Sequence, residues 1–161
     1  MIAVVERDQV LAIAQDVFAA MVDGDAGRLQ PWSGTLPSLE DPVVAWVDLH
    51  GPWTGRAELT TERATAQDLA RALLGMGADE AVSQLDLVDA FGEVANVVGG
   101  NVKSLLPRQG TLGLPQVAAA APVVPGALLV QHLPLSWRGR PLVVAVRAFD
   151  HPVLSEGTPL A

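Results

Sequence analysis

The chain has 161 residues and a net charge of −8, with half its residues apolar, four Trp, three Phe, no Tyr and no Cys. That length fits a single domain, 1–161, with a sizeable core built mostly from Val, Leu and Ala. The acidic balance works against binding nucleic acid or an anionic membrane surface, and the missing cysteines exclude disulfides, thiolate chemistry and cysteine-based metal sites.

The first ten residues carry Glu6, Arg7 and Asp8 and do not read as a signal peptide. The most apolar stretch, 117–130, is broken by Pro122, Pro125 and Gly126 and is too short to span a bilayer. A cytoplasmic location is the expectation. A helix is expected over 8–22, where Val10, Ile13, Val17 and Met21 recur at helical spacing and Asp8 is placed to cap the start. Residues 24–42 are rich in Gly, Pro and Ser and read as a loop. Strands are expected over 43–50 and 55–61, joined at Gly51-Pro52-Trp53 as an antiparallel hairpin. Thr61 is placed to cap a helix over 62–74 that Gly75 ends.

The longest periodic element runs over 80–106 and stops before Pro107. Three strands follow, over 112–121, 127–135 and 140–149, with a turn at Trp137-Arg138-Gly139 between the last two. The tail 151–161 contains Pro and Gly and reads as frayed. The fold class is therefore α/β (α+β): an antiparallel-rich sheet with long helices packed on it, in the order α-β-β-α-α-β-β-β.

The long helix has two faces. Val88, Phe91, Ala95, Val98, Val102 and Leu105 form an apolar stripe that must face the core. Asp86, Asp89, Glu93, Asn96, Gly100 and Lys103 form a second stripe at the same spacings, rotated away from the first. Polar residues on an outer helix face need no function to explain them. Asn inside a helix without a capping task, and Gly99 and Gly100 at about 1 kcal/mol each relative to Ala, ask for more. Glycines kept inside a helical pattern mark a close approach by another surface.

The segment from Asp89 through Glu93 and Asn96 to Gly99, Gly100 and Lys103 resembles the signature of the CheC/CheX/FliY phosphatases, which act on the phosphorylated response regulator CheY. The family pattern is an acid or Ser, three residues, Glu, two residues, Asn, and a Pro about twenty residues later. Here it reads Asp89, Glu93, Asn96 and Pro115. The order of elements resembles the family over nearly the whole chain. The gap between Asn96 and Pro115 is shorter than the family's, and there is one motif helix where CheC has two, so the likeness is to single-motif CheX-like members.

The resemblance implies a catalytic pair, Glu93 and Asn96, inserted into the partner's active site. Asn96 would orient the attacking water, and Glu93 would pair with a lysine of the partner. Asp89, Gly99, Gly100 and Pro115 are assigned as partner-docking residues, Asp89 as a helix-surface or docking residue rather than a base. The chain would bind no cofactor, with magnesium carried by the phosphorylated CheY-like receiver domain, and would form a homodimer. His50, His132 and His151 lack ligand-like spacing, so no metal site is expected. The alternative is a non-catalytic adaptor or scaffold of the same fold in chemotaxis or flagellar signalling. Retention of both Glu93 and Asn96 favours the catalyst.

Overall fold

The computed structural model of the chain describes residues 5–108, 110–150, 157, 159 and 160. Most of the tail read as frayed therefore lies outside the described residues. Three helices, α1 (Arg7–Val17), α2 (Arg63–Leu74) and α3 (Gln84–Ser104), pack on an antiparallel sheet. Its strands are β1 (Leu29–Pro31), β2 (Pro42–His50), β3 (Thr54–Glu62), β4 (Thr111–Leu112), β5 (Gln116–Ala118), β6 (Leu128–Trp137) and β7 (Arg140–Phe149). The spatial order is β1-β6-β7-β3-β2-β4, with β5 also pairing β2.

The expected hairpins form. In the β2–β3 pair, Ala45 lies opposite Leu59 and Val47 opposite Ala57. In the β6–β7 pair, Trp137 lies opposite Arg140. The turn residues between them, Arg138 and Gly139, have φ of 52° and 81°. Two left-handed residues in a two-residue link match the right-handed twist of the flanking strands.

The helices cover one face of the sheet. Val43, Ala45, Val47 and Leu49 of β2 are fully or almost fully buried beneath them, with Leu59, Val144 and Leu133 from the neighbouring strands. The opposite face of β2 is buried as well, at Val44, Trp46 and Asp48. The reason is the connection from β5 to β6, which leaves the sheet at one edge and rejoins it at the other. Its Pro122 carbonyl accepts a hydrogen bond from Arg56 Nη1 at 2.9 Å. Ala118 and Ala121 pack on Trp46, and Gly157 lies against the same indole. Both faces being covered explains why β2 reads as an apolar run rather than an alternation.

Arg56 pins this second layer. It is 1% exposed, forms 2.6 and 3.3 Å hydrogen bonds to Asp48, and stands near the rings of Trp46 and Phe149. Elsewhere Asp68 of α2 bridges Arg71 at 2.6 Å and Arg140 of β7 at 2.5 Å, tying helix to sheet. Burial works to raise the Asp68 pKa, but the two guanidiniums outweigh it and hold the carboxyl below its ordinary value of 3.8.

Several expectations are corrected. The α1 cap is Glu6, reciprocally bonded with Gln9, not Asp8. The first helix widens into a π-helical segment, Phe18–Asp23, before Gly24 ends it. The α2 cap is Glu62. Thr61 remains in β3, where its buried hydroxyl donates to the Pro141 carbonyl at 2.8 Å. The loop over 24–42 contains β1, and the strand expected over 112–121 is split into β4 and β5.

Candidate functional site

α3 starts later than its periodicity suggests, because Ser83 caps it: the Asp86 N–H donates to Ser83 Oγ at 3.0 Å. Its core face is Leu87, Phe91, Val94, Ala95, Val98 and Val102, all at most 2% exposed. Leu106 joins the core just beyond the helix. Val88 and Leu105, assigned to the core stripe by spacing, are only partly buried, so the buried stripe is turned slightly from the expected one.

The second stripe points away from the sheet. Asp89 and Glu93 are exposed, while Asp86, Asn96, Gly100 and Lys103 are partly buried. Asn96 is three residues from Glu93 and so stands beside it on the helix surface. Other polar residues of α3 satisfy themselves on the helix backbone. Asn101 Nδ2 donates to the Val97 carbonyl at 2.8 Å, and Ser104 Oγ to the Gly100 carbonyl at 3.1 Å. The side chains of Asp89, Glu93 and Asn96 make no hydrogen bond or ion pair among the described residues. Asp89 and Glu93 are like charges at i,i+4, an arrangement that costs a few tenths of a kcal/mol, roughly 0.2–0.5. The helix thus carries two unneutralised carboxylates beside an amide with free donors and an acceptor.

The glycines divide between two tasks. Gly99 is buried, and a Cβ built there would fall 2.2 Å from Val47 Cγ1. Its role is the internal contact of α3 with β2, and its placement among partner-docking residues is corrected. Gly100 remains on the outward side, where a Cβ would meet only Leu112 Cδ1, at 3.7 Å. Gly92 makes a second close contact: a Cβ there would lie 3.5 Å from Val117 Cγ2 and 3.6 Å from Pro115 Cβ.

These contacts place the segment between β4 and β5. Leu112 lies by Gly99 and Gly100, and Pro115 lies by Gly92, so the segment runs antiparallel to α3 past the turn that holds Asn96. Pro115 is brought alongside the motif helix although it is nineteen residues from Asn96 in the chain. Between those anchors stands Leu114, 82% exposed. Sequence reasoning passed over it, because it lay inside a stretch read as one strand. The signal was the Gly113-Leu114-Pro115 triplet, a leucine bracketed by two strand breakers.

Among the described residues no group of three His, Asp or Glu side chains is arranged to hold a metal ion, and no helix is long and apolar enough to cross a membrane.

The family model of the chemotaxis phosphatase CheX matches residues 43–124, which include β2 from Val43 on, β3, α2, α3 and the segment with Pro115. Among curated proteins none matches the sequence. Among solved structures, the chemotaxis protein CheX of Vibrio vulnificus is similar with a TM-score of 0.67 at 17% identity, over 89% of this chain and 95% of that one. A chain of the CheX–CheY–BeF3–Mg complex of Borrelia burgdorferi gives 0.66 at 18% identity, over 88% of this chain and 95% of that one. FliY of Thermotoga maritima gives 0.55 at 14% identity, over 91% of both chains.

Proposed function

The chain belongs to the CheX family of chemotaxis phosphatases, and from that premise we propose that it accelerates hydrolysis of the aspartyl phosphate of a CheY-like response regulator. α3 is the element that enters the partner's active site. The Asn96 amide lies against the phosphoryl group and orients a water in line with the scissile bond. The water oxygen bonds to phosphorus as the bond to the partner's aspartyl oxygen breaks. Inorganic phosphate leaves with the water protons, and the partner recovers a free carboxylate. An amide suits this role because it donates and accepts without titrating. Glu93 pairs with a lysine of the receiver domain and fixes the helix in register. The magnesium belongs to the receiver, and no covalent intermediate forms on this chain. Asp89, Gly100 and Pro115 border the docking face.

The observation that carries this reading is that Asn96 and Glu93 stand side by side, off the core stripe, with no side-chain partner among the described residues. The experiment is to follow phosphoryl loss from a phosphorylated CheY-type receiver domain with and without the protein. The expected outcome is faster loss. Binding without faster loss would favour the adaptor instead.

The same reading includes a homodimer joined at a sheet edge. Among the described residues, the outer side of β6 is paired by β1 over Leu135–Trp137, and the Trp32 N–H donates to the Pro134 carbonyl just beyond. The rest of that edge carries Leu128 and Leu129, 57% and 49% exposed, and unpaired strand edges favour association.

A further inference from the structure

Leu114 is held in solvent by its surroundings. On one side, the Gly113 N–H donates to the Asp48 carbonyl at 2.8 Å, fixing the segment to β2. On the other, Pro115 packs over Gly92. Both neighbours being anchored, the leucine is presented beside the Asn96 turn by a fixed backbone. Other large apolar side chains are exposed to a similar degree, but elsewhere. Leu85 is three helical turns before Asn96, about 16 Å along the axis. Val123, 92% exposed, lies on the connection that crosses the opposite face of the sheet.

We propose that Leu114 is the apolar anchor that seats the receiver domain on α3, next to the Asn96–Glu93 pair. The proposal rests on the phosphatase reading and names the contact that sets partner affinity. The occupant follows from continuity with that pair and from charge. Asp89 and Glu93 make no side-chain ion pair among the described residues and stand beside and upstream of Asn96, with Lys103 downstream on the same stripe, so the surface around Leu114 fits a partner with an apolar centre and a rim whose basic groups meet the Asp89–Glu93 side. Transient interfaces put apolar side chains at the centre of the contact and polar groups at its rim. The division of labour is then clear: Asn96 acts on the reacting water, while Leu114 touches only the partner's surface and acts on binding.

The test measures affinity for a beryllofluoride-activated CheY-type receiver domain, and steady-state dephosphorylation of the phosphorylated domain. Leu114→Ala, which adds no charge, and Leu114→Asp should raise both Kd and KM about tenfold or more, Asp the more strongly. The kcat at saturating partner should stay that of the wild type, as should the melting temperature, because the side chain is exposed. Val123→Asp, an equally exposed site on the far face, should behave as wild type. Unchanged Kd and KM in both Leu114 variants, with wild-type protein active, would overturn the anchor and leave the phosphatase reading standing. A fall in kcat without a rise in KM would also overturn it. Wild-type protein that neither binds nor dephosphorylates the receiver would overturn both.

Discussion

Two adjacent glycines in α3 face opposite environments, and their substitutions should have opposite signs. Gly99→Ala drives a methyl into Val47. Overpacking of this kind costs about 1–3 kcal/mol, so the denaturant midpoint should fall. Gly100→Ala meets only ordinary contact with Leu112. It gains helix propensity and should raise stability by about 0.5–1 kcal/mol. Equal effects would mean that the helix does not touch β2 as described. Glu93→Lys makes a related case. It turns the Asp89–Glu93 repulsion into attraction, so stability should be unchanged or higher by about 0.5 kcal/mol. Receiver binding should nevertheless weaken, because the interface charge is reversed. A Glu93→Lys protein that binds as wild type would remove Glu93 from the interface. The positions of Glu93 and Asn96 were legible in the sequence because three-residue spacing on a helix fixes adjacency. The role of Gly99 was not, because periodicity gives the angle of a residue about the helix but not how close the neighbouring strand comes.

At the scale of elements, the ends and breaks were set by partners distant in sequence. α3 begins at a Ser83 cap, and helical periodicity alone carried it four residues too far upstream. β4 and β5 are short because the segment between them bends to pass α3 at Gly92 and Gly99. β1, three residues long, exists through its pairing with β6 and has no propensity signal of its own. The strong hairpins were legible because β-branched runs and turn residues are local. The buried Arg56–Asp48 pair holds β2, β3 and the crossing connection together. Asp48→Ala would leave the guanidinium buried and unpaired, at a cost of about 3–5 kcal/mol measured by chemical denaturation. An Asp48→Ala protein of wild-type stability would show that the second layer does not depend on this pair. The Asp68 bridge between α2 and β7 gives a pH dependence. Its folded pKa lies below the ordinary 3.8, so its contribution is present above that value and is lost as the pH falls below it. Asp68→Asn should therefore lower stability at neutral pH and flatten the acid limb of the stability curve. An acid limb as steep as that of the wild type would contradict the assignment.

On the scale of the whole molecule, a two-sided sheet fixes α3 on one face and leaves its outward stripe free. The overall order of elements and the α/β class were readable from the chain, while the burial of the sheet's second face was not. That burial comes from a Pro-rich connection whose path only the folded structure defines. A dimer joined through the open edge of β6 predicts twice the monomer mass by light scattering at tens of micromolar protein. Leu129→Lys on that edge should shift the protein to monomer, and a monomeric wild type would count against edge pairing. The central claim is that the outward stripe of α3 performs the hydrolysis by orienting a water, and Asn96 is the group asked to do it. The most direct measurement is the rate of phosphoryl loss from a saturating receiver domain with wild-type protein and with Asn96→Ala, beside the affinity of each for the beryllofluoride form. Loss of one positioning group that acts in the transition state should lower the rate on the order of 100-fold while binding is retained. Wild-type turnover in Asn96→Ala would contradict the account.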